Sequence, residues 1–369
     1  MSILFTPVGI GPLTLRNRFA RSATHDYMAD DAGFVTEANV GLFARLAEGE
    51  VGLIITGHAN VQPAGKASPR QMGVHDDRFV EGLARIPAAV HQYPSKVFLQ
   101  IAHAGRQTKP RDCGCVPVSP SSVYDPVTKV MPRELSGQEI QALVQDFVSA
   151  GRRAKRAGFD GVQLHAAHGY LLSSFLSPHT NRRTDMWGGT VENRARVMLE
   201  ALRGIKSACG RDFPVIVKLN STDFLEGGLT VDDAVVVARL LEAEGIDGIE
   251  VSGGMAEAGR GSVWPGLRGE EDEGYFVANA ARVKRAVRVP VFGLGGIRTL
   301  AAAERIVHDG LADLVSLSRP LIRDPFLVKH FREGRTAKSE CVSCNKCFNP
   351  RGIRCAELDL EKRGSSRRP

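Results

Sequence analysis

Absent from the 369 residues is any run approaching the ~20 consecutive apolar residues that a membrane span needs. The N-terminus, MSILFTPVGIGPLTLRNR, has no basic stretch followed by an apolar core, so no secretory leader is evident and a cytoplasmic location is expected. Cysteine is scarce, seven in all, and four of the seven crowd between residues 341 and 355. Without an export signal, that crowding argues against a disulfide framework and for ligands to a metal or an iron–sulfur cluster. A glycine-rich turn after the first strand, the mark of a doubly wound nucleotide-binding sheet, is also missing; Ala23-Thr24-His25-Asp26 stands there instead. Nor is charge of one sign spread through the chain. The formal net charge is +7, but ten basic and five acidic side chains lie from Arg332 onward, which leaves the body near neutral. A solvated basic terminus accounts for this pattern, and nucleic-acid binding has no further support.

What the sequence does contain is alternation. Apolar strand-like runs occur at Arg18–Ser22, Val51–Thr56, Lys96–Ile101, Gly161–His165, Val215–Asn220, Gly248–Ser252, Pro290–Leu294 and Asp313–Leu317. Amphipathic helical segments separate them, among them Thr36–Ala47, Glu139–Ala157, Val191–Ala208, Val231–Glu244, Phe276–Ala286 and Leu300–His308. Eight such units predict an α/β fold, a (β/α)8 TIM barrel over residues 1–335, with a short cysteine-containing basic extension at 336–369. The segment from Gln107 to Ser136 is long, rich in Pro and Ser, and contains Cys113 and Cys115; it is expected to be a loop covering the active site.

Proton-carrying groups concentrate in one stretch, FDGVQLHAAHGYLLSSFLSPHTNRRTDMWGGTVENRAR, residues 159–196. It begins as a buried strand and then places His165, His168 and Tyr170 within six residues, at the strand end where a parallel barrel builds its active site. Two histidines three apart can donate hydrogen bonds to one developing oxyanion, with the phenol delivering a proton nearby. The same His-x-x-His spacing suits zinc, but no carboxylate stands at a companion position. After the seventh strand comes Gly293-Leu294-Gly295-Gly296-Ile297, and after the eighth Ser318-Arg319-Pro320. Barrels commonly hold phosphate at these two loops, through backbone amides that glycine lets approach closely, so Gly295, Gly296, Ser318 and Arg319 form a candidate phosphate site.

The motif HAAHGYLLSSFLSPHTNRRTDMWGG closely resembles the signature of the Old Yellow Enzyme family, flavin-dependent reductases of activated alkenes, and AHAGR at residues 102–106 matches that family's pattern too. The resemblance implies FMN as cofactor and NAD(P)H as reductant, with hydride passing from the reduced flavin to the β-carbon of an α,β-unsaturated carbonyl compound. It implies that Ser22, Ala23, Thr24 and His25 run beside the flavin, that Gly57 offers its backbone amide, and that Gln100 meets the pyrimidine edge. It implies further that Lys218 sets a positive charge near the ring, that His165 and His168 hold the substrate carbonyl, and that Tyr170 protonates the α-carbon. His58 stands where many relatives carry a small residue, and Ser318 where most carry glycine.

The tail, ECVSCNKCFNPRGIRC, spaces Cys341, Cys344, Cys347 and Cys355 as C-x2-C-x2-C-x7-C. It is similar to the iron–sulfur segment of the 2,4-dienoyl-CoA reductase and trimethylamine dehydrogenase branch, though both later intervals are shorter. A [4Fe–4S] cluster, a zinc ion and an empty site all stay open. Those larger relatives continue into nucleotide-binding domains; with the sequence ending at Pro369, the reductant is expected to dock at the barrel mouth or to be a separate electron-transfer protein. A small-molecule substrate and a homo-oligomer are also expected from the resemblance. Two other functions remain: a flavin-dependent N-demethylase or amine dehydrogenase passing electrons through the cysteine cluster, and a non-flavin phosphate-binding barrel acting as a lyase or isomerase.

Overall fold

The computed structural model describes residues 2–259 and 261–365, with the side chains of 361–365 left aside. The last four residues of the predicted tail lie outside the described residues. Eight strands form the barrel: β1 (Phe19–Arg21), β2 (Leu53–Ile55), β3 (Lys96–Ala102), β4 (Gly161–Ala166), β5 (Val215–Asn220), β6 (Gly248–Ser252), β7 (Val291–Gly293) and β8 (Leu314–Leu317). All pair in parallel, each with its sequence neighbour, and β8 returns to β1 through Val315–Phe19 and Leu317–Arg21, which closes the ring. The chain is therefore the expected (β/α)8 barrel, and the open-sheet alternative is excluded.

Around the ring run α1 (Glu37–Glu48), α2 (Val80–Val90), α3 (Gly137–Arg156), α4 (Val191–Cys209), α5 (Val231–Ala243), α6 (Val277–Lys284), α7 (Leu300–His308) and α8 (Leu327–Arg332). Their starts follow local chemistry. At α3 the Ser136 hydroxyl accepts from the Glu139 amide while the Glu139 carboxylate accepts from the Ser136 amide, a reciprocal cap that Thr230 and Asp233 repeat at α5. From α3, Ile140, Leu143, Val144, Phe147 and Ala154 turn inward on one face, giving the helical period read from sequence. In α2, VEGLARIPAAV, Pro87 lies buried inside the helix. After β4, Leu171–Leu176 forms a short helix. Among the described residues no helix is long and apolar enough to cross a membrane.

Two apolar cores result. The larger lies between strands and helices; the smaller fills the barrel floor with Ile10, Leu15, Ala20, Leu53, Ile55, Phe98, Ile216, Phe292 and Leu314. Ile10 and Leu15 come from an antiparallel hairpin, Val8–Ile10 with Leu13–Leu15, that plugs the floor from below. Gly161 opens β4 beside the Phe98 ring, where a Cβ would come within 2.7 Å of the ring edge. With the lower barrel filled by apolar side chains, the cavity opens at the C-terminal ends of the strands. Phe98→Ala, which empties the centre of that plug, should destabilise the protein by about 3–5 kcal/mol in denaturant titration while leaving the site residues above in place.

Candidate active site

At the C-terminal face a cavity of about 340 Å³ opens, within the size range of small-molecule sites. His165, His168, Tyr170, Ser22, Ala23, Thr24, His25, Gln100, Lys218, Gly295, Gly296, Ser318 and Arg319 all line it. Gly57 does not; its missing Cβ would stand 3.0 Å from the Thr24 carbonyl and the Asp26 carboxylate, so this glycine lets the loop after β1 lie against β2. The neighbouring His58 reaches the cavity instead.

The geometry of the histidine segment begins in its backbone. His165 is still in β4, but His168 and Gly169 adopt left-handed conformations at φ 65° and 83°, which fold the chain back over the strand end. For histidine that conformation is uncommon, and tertiary bonds hold it: its amide donates to Asn220 Oδ1 at 3.3 Å, and its Nε2 lies 2.7 Å from Ser252 Oγ. The return brings the two imidazoles edge to face at 5.3 Å and the Tyr170 ring to 4.5 Å from His165. Burial holds both imidazoles well below the usual histidine range, with Lys218 and neighbouring rings adding to the effect, so both are neutral donors at pH 7. Burial pushes the Tyr170 phenol well above its usual range, and Tyr27 adds to the shift.

Beneath the cavity runs a chain of buried polar groups. Gln100 Nε2 donates to Gln163 Oε1 at 2.7 Å, and Gln163 Nε2 donates to Glu250 at 2.8 Å. Glu250 in turn stands 3.4 Å from Lys218 Nζ, which donates to Ser22 Oγ at 2.7 Å. Desolvation lowers the Lys218 pKa while Glu250 opposes the fall, so the ammonium is held as a partnered buried cation. Sequence reading missed Gln163 and Glu250, although a lone polar residue inside each apolar strand, GVQLH and GIEVS, was a visible signal. Thr24 Oγ1 and Ser318 Oγ share a 2.7 Å hydrogen bond that ties the loop after β1 to the loop after β8. His25 leans on Ser68 Oγ at 2.6 Å.

Arg319 joins the cavity to the tail. Its Nη1 donates to the Trp264 carbonyl at 2.8 Å and to Asn345 Oδ1 at 2.7 Å, so part of the guanidinium expected at a phosphate is engaged by protein. The tail is bound over the barrel top through Ser339 N to Arg298 O and Ile353 N to Asp26 O, and its Phe348 forms part of the cavity wall. Cys341, Cys344, Cys347 and Cys355 border one small cavity beside Arg319. Burial, reinforced by neighbouring thiols, pushes Cys347 up to about 11. Among the described residues no three His, Cys, Asp or Glu side chains stand together as a metal site. Cys113 and Cys115 form a separate pair, 3.9 Å apart, in the 107–136 segment.

The sequence profile of the NADH:flavin oxidoreductase / NADH oxidase family matches residues 3–338. An NADH oxidase from Thermoanaerobacter brockii is 40% identical over 345 residues, 93% of this chain and 52% of that protein. A 2-naphthoyl-CoA reductase in complex with 2-naphthoyl-CoA superposes with a TM-score of 0.87 at 30% identity, over 94% of this chain and 54% of that one. An Old Yellow Enzyme homologue from Zymomonas mobilis gives a TM-score of 0.81 at 25% identity, over 96% and 97%. The chain thus spans about half the length of the first two relatives. It belongs to the NADH:flavin oxidoreductase family, within the Old Yellow Enzyme group of FMN- and NAD(P)H-linked oxidoreductases, and the non-flavin barrel falls away.

The residues present fit the family's flavin. Ser316 Oγ and His165 Nδ1 are buried in the cavity wall without a protein partner, and a bound heteroaromatic ligand can satisfy groups of that kind. Amide, hydroxyl and ammonium groups at Gln100, Ser22 and Lys218 suit its polar ring edge, and the glycines at 295 and 296 suit its phosphate.

The buried histidines set a pH dependence. Burial lowers His58 to about 4 and His103 to about 3, so below the unfolded value of 6.5 the unfolded chain takes up protons that the native one refuses. Stability should be level above pH 7 and fall as pH drops from 6.5 toward 4, by about 1.4 kcal/mol per pH unit for each such histidine. Urea midpoints at pH 7.5 and 5.5 measure it; a higher midpoint at pH 5.5 would mean that the native rings are protonated.

Proposed function

We propose that this chain is the FMN-bearing catalytic barrel of an NAD(P)H-dependent reductase acting on the C=C bond of an α,β-unsaturated carbonyl compound. The observation that carries the reading is the pair of neutral, edge-to-face imidazoles at His165 and His168, beside a protonated phenol and opening on one cavity. Neutral imidazoles donate hydrogen bonds to a carbonyl oxygen and bind its enolate more strongly as charge grows, which is how such a pair accelerates attack at the β-carbon. Bound FMN supplies the hydride.

The rest is done by the chain. Ser252 takes one nitrogen of His168 and so fixes its ring, while the unpartnered Nδ1 of His165 remains free for hydrogen bonding. Tyr170 holds the proton for the α-carbon; burial keeps it protonated and makes it a weak acid, so placement has to offset the poor driving force. Lys218, Ser22 and Gln100 would hold the flavin's polar edge, and Ser318, Gly295 and Gly296 its phosphate. The closed barrel floor keeps water out beneath.

A second reading draws on the tail. Four thiols bordering one cavity have the donor chemistry of zinc or a [4Fe–4S] cluster, yet they do not stand as a metal site, and no step proposed here runs through one. If such a cluster forms, an amine-oxidising flavoenzyme passing electrons to a protein acceptor becomes the competing description, and turnover with NAD(P)H alone separates it from the reductase. Protein purified without oxygen that carries flavin but no iron would remove it, and about four iron atoms per chain with no turnover on NAD(P)H would favour it.

Two substitutions test the main reading. Tyr170→Phe should slow alkene reduction about 100-fold or more while leaving flavin reduction by NAD(P)H nearly unchanged in stopped-flow half-reactions. Equal loss in both halves would exclude the proton-donor role. His165→Ala should weaken binding of a phenolate that mimics the enolate by about 10- to 100-fold, read by flavin absorbance titration. Unchanged affinity would remove the oxyanion assignment.

A further inference from the structure

His58 lies at the end of β2, buried, in a position the proposed chemistry does not use. Its surroundings determine its tautomer. The Ala67 amide can only donate, and it lies 2.7 Å from Gln71 Oε1, which orients the Gln71 amide without ambiguity. Gln71 Nε2 must then donate, and its neighbours are the His58 carbonyl at 3.2 Å and His58 Nδ1 at 2.8 Å. Nδ1 is therefore the lone-pair nitrogen, and the proton of the neutral ring sits on Nε2. That nitrogen is 3.1 Å from Tyr170 Oη. His58 donates, the phenol oxygen accepts, and the phenol proton is left unclaimed by any acceptor among the described residues.

We propose that His58, oriented by Gln71, is the positioning residue that makes Tyr170 a usable acid: its Nε2–H directs the phenol proton into the cavity and stabilises the phenolate left after transfer. This rests on the reading of Tyr170 as proton donor. Proton balance is simple. The O–H bond of Tyr170 breaks as the α-carbon–H bond forms, the phenoxide charge is met by the existing hydrogen bond from His58, and solvent later restores the phenol proton. The ring stays neutral throughout, because burial holds His58 at about 4, so it acts as a fixed dipole and not as a second acid. Two further rings held neutral by burial lie beside it, His25 stacked at 4.6 Å and His165 at 6.1 Å. A donor aimed at the oxygen where charge develops is the arrangement that stabilises such a transition state most.

The test uses FMN-loaded protein and separates the two half-reactions. His58→Leu removes the donor and should slow alkene reduction about 10- to 100-fold, the range for a lost hydrogen bond to a charged group, with flavin reduction unchanged. His58→Gln keeps an amide donor near the Nε2 position and should recover most of the rate. Gln71→Met frees the tautomer and should give an intermediate loss, which covers the case in which His58→Leu folds poorly. The alkaline titration of Tyr170, followed by tyrosinate absorbance, should move further upward in His58→Leu. In a Tyr170→Phe background, His58→Leu should cause no additional loss, because it acts through that phenol. If Tyr170→Phe slows alkene reduction but His58→Leu does not, the positioning role is wrong and the proton donor survives. If Tyr170→Phe has no effect, the underlying reading fails. If His58→Leu slows both half-reactions alike and His58→Gln does not recover, His58 serves packing only and the proposal is overturned.

Discussion

A carboxylate with no exposed surface, Glu250, sits inside the barrel at the level where chemistry begins, and the polar top of the protein is arranged around it. Burying one unpartnered charge is prohibitive, and removing one partner of a buried pair typically costs about 3–5 kcal/mol. Lys218 answers Glu250 at 3.4 Å, Gln163 donates to it at 2.8 Å, and Gln100 and Ser22 extend the chain on either side. Partnering Glu250 Oε2 therefore constrains three groups that face the cavity, while its Oε1 has no hydrogen-bond partner among the described residues. Phe98 and its apolar neighbours fill the barrel below and offer this carboxylate no hydrogen-bond partner, which makes the constraint sharp.

The same dryness governs the histidines. Desolvation removes their charge and so converts His165 and His168 into neutral donors, the form best suited to a carbonyl oxygen that gains charge. It also raises the phenol of Tyr170, which works against proton donation. One physical cause thus helps two members of the site and hinders the third, and the hindered member is the one with a histidine donor at its oxygen. The tail adds a second layer, since Arg319 bonds to Asn345 and Trp264 while bordering both the main cavity and the cysteines.

Much of this was legible in the linear chain. The eight strand runs appear within a few residues of their expected limits, since apolar β-branched runs between helical periods have few other solutions. The histidine motif, the glycines at 295 and 296 and the strand-borne Lys218 could be picked out because each breaks or ends an apolar run. Gly57 is expected to offer its backbone amide to the flavin; the structure sets it outside the cavity lining, and its place against Thr24 and Asp26 depends on a loop more than thirty residues away in the chain.

By itself the sequence determined the barrel, the face on which its chemistry lies and the flavin family to which it belongs, because these follow from periodicity and from motifs contiguous in the chain. Only the tertiary structure decided which groups meet. Glu250 finds Lys218 across adjacent strands, the tail reaches back to Arg319, and Gln71 turns His58 toward Tyr170, more than a hundred residues further on. Such pairings depend on register, rotamer and burial, and spacing along the chain carries none of these.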